Sequence, residues 1–349
     1  MPNISTTDAL GLYTNRVIAA FKQRSIPTAF LRSFFPTVES PTLEISIEVQ
    51  RGYEKIAVDV VRGTDGNRNT FSRSTEKVFI PHYFREWFDA TQLQLYDRLY
   101  GATEISDALF AAYINSVADA ATDLRSKIER AYELQCAQVL ETGIVTTSAG
   151  STNIDFKRKA ASLKDWGAGN YWANSVNPFD QLEDGCNFLR QVGKAEGNVF
   201  NCIMGSDAIS DLFGNTIFKE RQNLFNMALD AVAAPQRGAV GQSYHGEISC
   251  GSYRVRLWSY PQYYDNASNA STPYLNPKKV ILIPENPKFK LAFAAVPQLI
   301  TPNTPPQMGA YVMNEYLDKR GKARIVDIES AGLAVPVAVD TIYTAQVVA

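Results

Sequence analysis

The sequence predicts an α+β subunit, and three observations carry that reading. Leu43, Ile45, Ile47 and Val49 alternate with Glu44, Ser46, Glu48 and Gln50, the period-two pattern of a half-buried strand. A helical repeat runs from about 103 to 142. From Ile248 onward the apolar runs are short and separated by turn residues, as strands require.

The first 36 residues hold an amphipathic stretch (Leu12, Val17, Ile18, Phe21) and then Phe30, Leu31, Phe34 and Phe35. Pro27 and Pro36 forbid one long helix, so a short helix followed by an irregular arm is expected. After the alternating strand comes a second, Ile56 to Val61, then the polar stretch Arg62 to Asn69 with its Asp65-Gly66 turn signal, then a return over Lys77 to Ile80 that stops at Pro81. A long β-hairpin with a tip that has nothing to bury is the expectation. Such a hairpin is unstable alone and needs another surface.

The helix from about 103 to 142 places Val117, Ala121, Leu124, Ile128 and Ala131 on one face and the pairs Asp123–Lys127 and Arg125–Glu129 on the other. Thr103 is its expected N-cap and Gly143 its stop. At about 1.5 Å per residue it would run about 60 Å, unless broken near Ser116. Asn177 and Pro178 open another helix that ends by Gly193, with Leu182, Cys186 and Leu189 inward. A strand from Val199 to Met204 and a short helix capped by Ser206 and ending at Gly214 follow. Strands are then expected at Tyr253 to Tyr260, Val280 to Ile283, Leu291 to Val296, Ala323 to Ile328 and Thr341 to Val348. Asp265 to Pro273 reads as a polar loop and Pro297 to Gly309 as an irregular crossing.

Composition narrows the function. The 349 residues are 45% hydrophobic, enough for a sizeable core, and 34 basic residues against 36 acidic leave a net charge of −2. A protein whose main task is gripping nucleic acid is usually basic. The N-terminus shows neither the basic nor the apolar part of a signal peptide, and no apolar run approaches the ~18 residues of a membrane span, so a soluble chain made in the cytoplasm, with no membrane partner, is expected. Cys136, Cys186, Cys202 and Cys250 are far apart and read as reduced, small apolar side chains.

The chemistry-bearing motifs are missing. His82 and His245 have no acidic or cysteine neighbour at ligand spacing. There is no phosphate-binding G-x-x-x-x-G-K-[ST] loop and no G-x-S-x-G elbow. No pair of carboxylates stands out as an acid–base couple, and no cofactor or metal is expected. Two basic groups remain. Arg62, Arg68 and Arg73 surround the hairpin tip, and Lys157-Arg158-Lys159 is a candidate contact for nucleic acid.

In order along the chain, Phe34-Phe35-Pro36, the Leu43 to Val49 strand, Arg62-Gly63, Lys77 to Pro81, Ile128-Glu129-Arg130 to Gly143, Ile154-Asp155-Phe156, Trp172, Pro178-Phe179-Asp180, Ile203 to Asp207, Phe218 to Arg221, Tyr253 to Val255, Tyr274 to Pro277 and Val280 to Pro284 resemble the lambda-like major capsid protein E family of tailed bacteriophages. Their shared order over nearly the whole length carries the resemblance. It implies the Hong Kong 97-type capsid fold: residues 1–48 an N-terminal arm, 49–81 an extended β-hairpin loop lying over a neighbour, 82–178 a peripheral domain with the spine helix at about 103–142, 179–310 an axial domain, and 311–349 C-terminal strands completing the peripheral domain. The loop tip, Arg62, Gly63, Asp65, Gly66 and Arg68, would then be a subunit interface. Lys157, Arg158 and Lys159 would be candidate DNA-facing residues.

The resemblance further implies a non-enzymatic virion protein that self-assembles into hexamers and pentamers of an icosahedral shell around double-stranded DNA. Its partners would be a portal protein, a separate scaffolding protein, a decoration protein where one exists, and packaged DNA touched non-specifically. Lys55 and Lys77 flank the hairpin, but no acid and Asn partner for a covalent crosslink can be identified. Two alternatives remain: the shell of a cellular nanocompartment with the same fold, and a soluble α/β enzyme with an unrecognised site.

Overall fold

The computed structural model describes residues 28–50, 74–91, 107–146, 153–173, 176–224, 236–237, 241–297, 306–317 and 323–349. A 3₁₀ turn, Leu31–Phe34, leads into strands β1 (Thr37–Glu39) and β2 (Ile45–Gln50). β3 (Ser74–Phe79) and β4 (His82–Thr91) precede helix α1 (Asp107–Glu141). The small pair β5 (Ile144–Val145) and β6 (Ile154–Asp155), then β7 (Leu163–Asp165), lead to α2 (Pro178–Gln191) and β8 (Val199–Met204). Helices α3 (Ser206–Gly214) and α4 (Thr216–Leu224) follow. The remainder is β-rich: β9 (Gln236–Arg237), β10 (Ser243–Cys250), β11 (Tyr253–Ser259), β12 (Tyr263–Asp265), β13 (Ser271–Pro273), β14 (Lys279–Pro284), β15 (Phe289–Phe293), β16 (Val312–Leu317), β17 (Ala323–Pro336) and β18 (Tyr343–Gln346). The α+β expectation agrees with this architecture.

Two sheets organise these elements. In the five-stranded sheet, β17 pairs antiparallel with β4 along ten consecutive residues, with β16 and β15 on its other side and β1 beyond β15. The seven-stranded sheet has the order β7-β18-β14-β8-β11-β10-β9. Its strands β8 and β14 are mostly apolar because both faces are covered. Ile203, Ile281 and Ile283 belong to the core shared with α1. Cys202, Met204, Val280 and Leu282 belong to the core under α2 and α3.

Helix α1 is continuous through Ser116 and, with 35 residues, spans about 52 Å. Leu124, Ile128, Tyr132, Cys136 and Val139 are buried, one face recurring every three to four residues, against Phe289, Leu291, Phe293, Val326 and Ile328. Thr103 lies outside the described residues. Gly143 ends the helix as expected: at φ +76° its amide reaches back to the Val139 carbonyl at 3.0 Å. Arg125–Glu129 forms at 3.0 Å, while Lys127 reaches Glu86 on β4 at 3.5 Å.

The Asn177 side chain accepts the Phe179 amide and Pro178 occupies the first turn of α2, as its sequence dictates. At α3 the cap is Gly205, and Ser206 is already helical. A side chain at 205 would collide with the Pro277 carbonyl, so only glycine fits where the strand-to-helix turn crosses that loop.

Other expectations shift. The hairpin stem is β2 against β3, from Ile45↔Phe79 to Gln50↔Ser74. The alternating strand is therefore the outgoing arm of the hairpin, and its stem begins at Ile45, before residue 49. The expected strand at Ile56 to Val61 lies outside the described residues. Strand β4 was not expected at all, and β17 continues eight residues past Ile328. Phe289–Phe293 hydrogen-bonds into the five-stranded sheet, whereas Tyr343–Gln346 inserts between β14 and β7 in the seven-stranded one. The Asp265 to Pro273 loop is closed at its base by the short β12–β13 pair, with residues 266–270 as its tip.

Candidate functional site

No catalytic constellation emerges among the described residues. His245 contacts the Ser259 hydroxyl at 2.7 Å, the His82 ring contacts the Gln135 amide at 3.5 Å, and burial lowers both imidazole pKa values. All four cysteines are free and buried, with thiols raised by burial. No group of three or more His, Cys, Asp or Glu among the described residues could hold a metal ion. No described helix is long and apolar enough to cross a membrane.

The polar chemistry concentrates where α1 joins the other elements. Glu133 is fully buried in the C-terminal third of α1. One carboxylate oxygen accepts the Leu31 amide at 2.8 Å and the Tyr260 hydroxyl at 2.8 Å; the other accepts the Arg32 amide at 3.0 Å. The carboxylate thus satisfies the first amides of the 3₁₀ turn, as an acidic group does at a helix start. Burial raises the Glu133 pKa, and these hydrogen bonds oppose the rise. Thr28 completes the junction by bonding the Tyr260 hydroxyl at 2.6 Å. Arm, helix and the segment leaving β11 therefore meet on one side chain.

Two further ties hold the C-terminal end of α1. Glu141 pairs with Lys279 of β14 at 2.7 Å and accepts the Asn276 amide. Arg158 donates to the carbonyls of Leu140 (2.8 Å), Ile342 (3.0 Å) and Ser162 (3.2 Å), and to the Thr344 hydroxyl (3.1 Å). A guanidinium suits this place, because it offers several fixed donors to the carbonyls at a helix end. Burial lowers its pKa to about 10, leaving it charged at neutral pH. Toward the five-stranded sheet, α1 is held by Tyr132, whose hydroxyl bonds the Ser330 hydroxyl and accepts the Gly332 amide at 2.9 Å.

The Arg158 guanidinium thus points inward as a strut between these segments. Lys157 and Lys159, on either side, are exposed and paired with Asp155 (2.7 Å) and Asp340 (2.9 Å). Arg62, Gly63, Asp65, Gly66 and Arg68 lie outside the described residues. Glu133 and Glu141 were not singled out by the sequence, which offers no local signal for either.

A family model for phage major capsid protein E matches residues 14–347. The chain belongs to the phage major capsid protein E family. A prophage capsid protein of Escherichia coli CFT073 superposes with a TM-score of 0.62 at 17% identity, covering 98% of this chain and 99% of that one. The mature capsid subunit of bacteriophage PhiM1 gives 0.50 at 11% identity, covering 93% and 89%. The capsid subunit of cyanophage A-1(L) gives 0.51 at 11% identity, covering 94% of each chain. No curated protein sequence matches the chain. The fold is the Hong Kong 97-type capsid fold, and the chain is a shell-forming phage capsid protein of the virion. The family match favours the phage shell over the nanocompartment expected as the alternative.

Proposed function

We propose that the subunit builds its shell through hexamers and pentamers, with residues 49–81 laid over a neighbour and the tip residues Arg62, Gly63, Asp65, Gly66 and Arg68 at that contact. The seven-stranded sheet with its helices acts as the axial body and the five-stranded sheet with α1 as the peripheral body. Maturation moves these bodies relative to each other, bending the spine helix and repositioning the arm. The observation that carries this reading is the split attachment of α1. Tyr132 ties it to β17, while Glu141 and the Leu140 carbonyl tie it to the seven-stranded sheet. One long helix with separate anchors to two sheets is a natural beam between two rigid bodies.

A portal protein, a separate scaffolding protein, a decoration protein where one exists, and non-specifically contacted packaged DNA complete the proposed partners. Lys157 and Lys159 remain candidates for the DNA contact, and the reading assigns the chain no catalytic step. Deleting Asp65 to Asn69 tests the proposal. Size-exclusion chromatography and negative-stain microscopy should show folded subunits that assemble poorly. Normal particles from that variant would overturn the loop's role, and a discrete dimer of the unaltered chain under all conditions would overturn the shell itself.

A further inference from the structure

The phenol of Tyr260 is buried and hydrogen-bonded on both sides. It donates to the Glu133 carboxylate at 2.8 Å, and the Thr28 hydroxyl bonds its oxygen at 2.6 Å. Burial, and then the charge of Glu133, push its pKa well above the ordinary phenol value, so a phenolate does not form here. Such a phenol gives up an electron readily only if its proton leaves at the same time. A base within hydrogen-bond reach makes that possible. Tyr132 is buried as deeply, but its hydroxyl meets the Ser330 hydroxyl and the Gly332 amide, neither of which is a base.

Aromatic rings lead from this pair toward half-buried positions. Phe30 lies between Tyr260 and Trp258, its ring centroid 5.5 Å from each. Trp258 is half-buried, packs on half-buried Tyr244 at 4.7 Å and donates its indole N–H to Asn201 at 3.2 Å. On the other side, Tyr274 lies 6.1 Å from Tyr260, and half-buried Tyr264 lies 5.0 Å from Tyr274. Indoles and phenols are the rings that lose single electrons most easily. Electrons pass quickly between rings in contact or one ring apart, and an oxidised indole takes an electron from a tyrosine that can shed its proton.

We propose that Tyr260 and Glu133 form a radical sink: when an oxygen-centred radical takes an electron from Trp258, Tyr260 replaces that electron while its phenol proton passes to Glu133. The external radical gains one electron, and the indole becomes a cation radical. Tyr260 reduces the indole, its O–H bond breaks, and the proton moves along the 2.8 Å hydrogen bond to Oε1 of Glu133. The products are a neutral indole, a neutral tyrosyl radical and a neutral carboxyl group. A buried site favours that outcome, because the step removes both charges from it. Subunits of a finished shell are not resynthesised, so holding an oxidising equivalent on one enclosed ring spares the particle damage at its surfaces.

Pulse radiolysis of the folded, unaltered subunit, with the azide radical as the oxidant, tests this. Indolyl radical should decay as tyrosyl radical grows, and that step should slow in heavy water because a proton moves with the electron. Freeze-quench electron paramagnetic resonance should find a tyrosyl radical with two exchangeable hydrogen bonds to its oxygen, from Thr28 and Glu133. Neither measurement needs a variant, and a transfer without an isotope effect overturns the proposal. In variants whose folding circular dichroism has confirmed, Tyr260→Phe should remove most of the fast tyrosyl signal. Glu133→Gln should slow the transfer about a hundredfold, the loss expected for a positioned base. Folded variants that keep the rate and yield of the unaltered chain would sink the idea and move the radical to another pair, such as Trp172 and Tyr343, which line one cavity.

Discussion

The Glu133 carboxylate accepts the Leu31 amide at 2.8 Å across 102 residues of sequence, pinning the Leu31–Phe34 turn to the C-terminal third of α1. The same oxygen accepts the Tyr260 hydroxyl, so displacing the arm and shifting the seven-stranded sheet both disturb one buried acid. Replacing Glu133 with alanine leaves two backbone amides and a phenol without their acceptor. A loss of about 2–3 kcal/mol in urea unfolding is expected, with faster amide exchange at Leu31 and Arg32.

Protonation of Glu133 gives stability a specific pH dependence. Burial raises its pKa in the folded subunit above the ordinary 4.5, so the native state holds this proton more tightly than the unfolded chain. The resulting stabilisation is complete below the unfolded value and disappears as pH rises through the folded one. Glu133→Gln removes that titration. Subtracting its stability profile from that of the unaltered chain, between pH 4.5 and 8, should therefore give a difference that favours the glutamate most at the acid end. A flat difference would contradict the assignment.

Gly143 and Gly167 form a controlled pair. Both have positive φ, +76° and +74°, but a Cβ at 143 would overlap the Arg158 side chain, whereas at 167 it would meet nothing within 4 Å. Gly167→Ala should cost about 1 kcal/mol from backbone conformation alone. Gly143→Ala should cost on the order of 1–3 kcal/mol more, because Arg158 must leave its carbonyls. Equilibrium unfolding of the two variants checks the difference.

Arg158 itself separates a structural role from a nucleic-acid one. Arg158→Met should destabilise the subunit by on the order of 2–4 kcal/mol while leaving the DNA content of intact particles unchanged. Arg158→Lys should recover little, since one ammonium cannot serve acceptors on three segments.

The cysteines give a simple readout of the cores. Burial raises the Cys250 thiol to about 12 and the Cys136 and Cys202 thiols well above their usual value. At pH 8 an aromatic disulfide reagent should label none of the four in the native subunit within minutes, and all four after unfolding.

Local signals were legible in the sequence where the physics is local. Asn177 and Pro178 announce α2 because capping involves neighbours. Val199–Met204 reads correctly because a strand covered on both faces is almost wholly apolar, Asn201 being its one polar residue. Strand β4 escaped because Phe84 and Phe88 face inward while Tyr83 and Trp87 face outward, so aromatics on both faces erase the alternation. The reading of β17 stopped at Ile328 because Glu329, Ser330 and Gly332 look like a loop. The arginine that neutralises its acids lies 242 residues away in sequence.

The polar junction was invisible for the same reason. Glu133 is an ordinary helix glutamate until Leu31, Arg32 and Tyr260 arrive beside it. Arg158 sits between two lysines and looks solvated. Only the folded chain brings Leu140, Ile342 and Thr344 to its guanidinium.

The insertion of β18 between β14 and β7 has a consequence for the timing of synthesis. Arg158 and Thr344 are 186 residues apart, and the carbonyl of Leu140 waits for both. While the ribosome is still translating the segment between them, β7 has no strand to pair with and the end of the spine helix is unanchored. The seven-stranded sheet closes only after residues 343–346 have cleared the exit tunnel. Until then β14 and β7 are not joined, because the strand that bridges them is the one made last among the described strands.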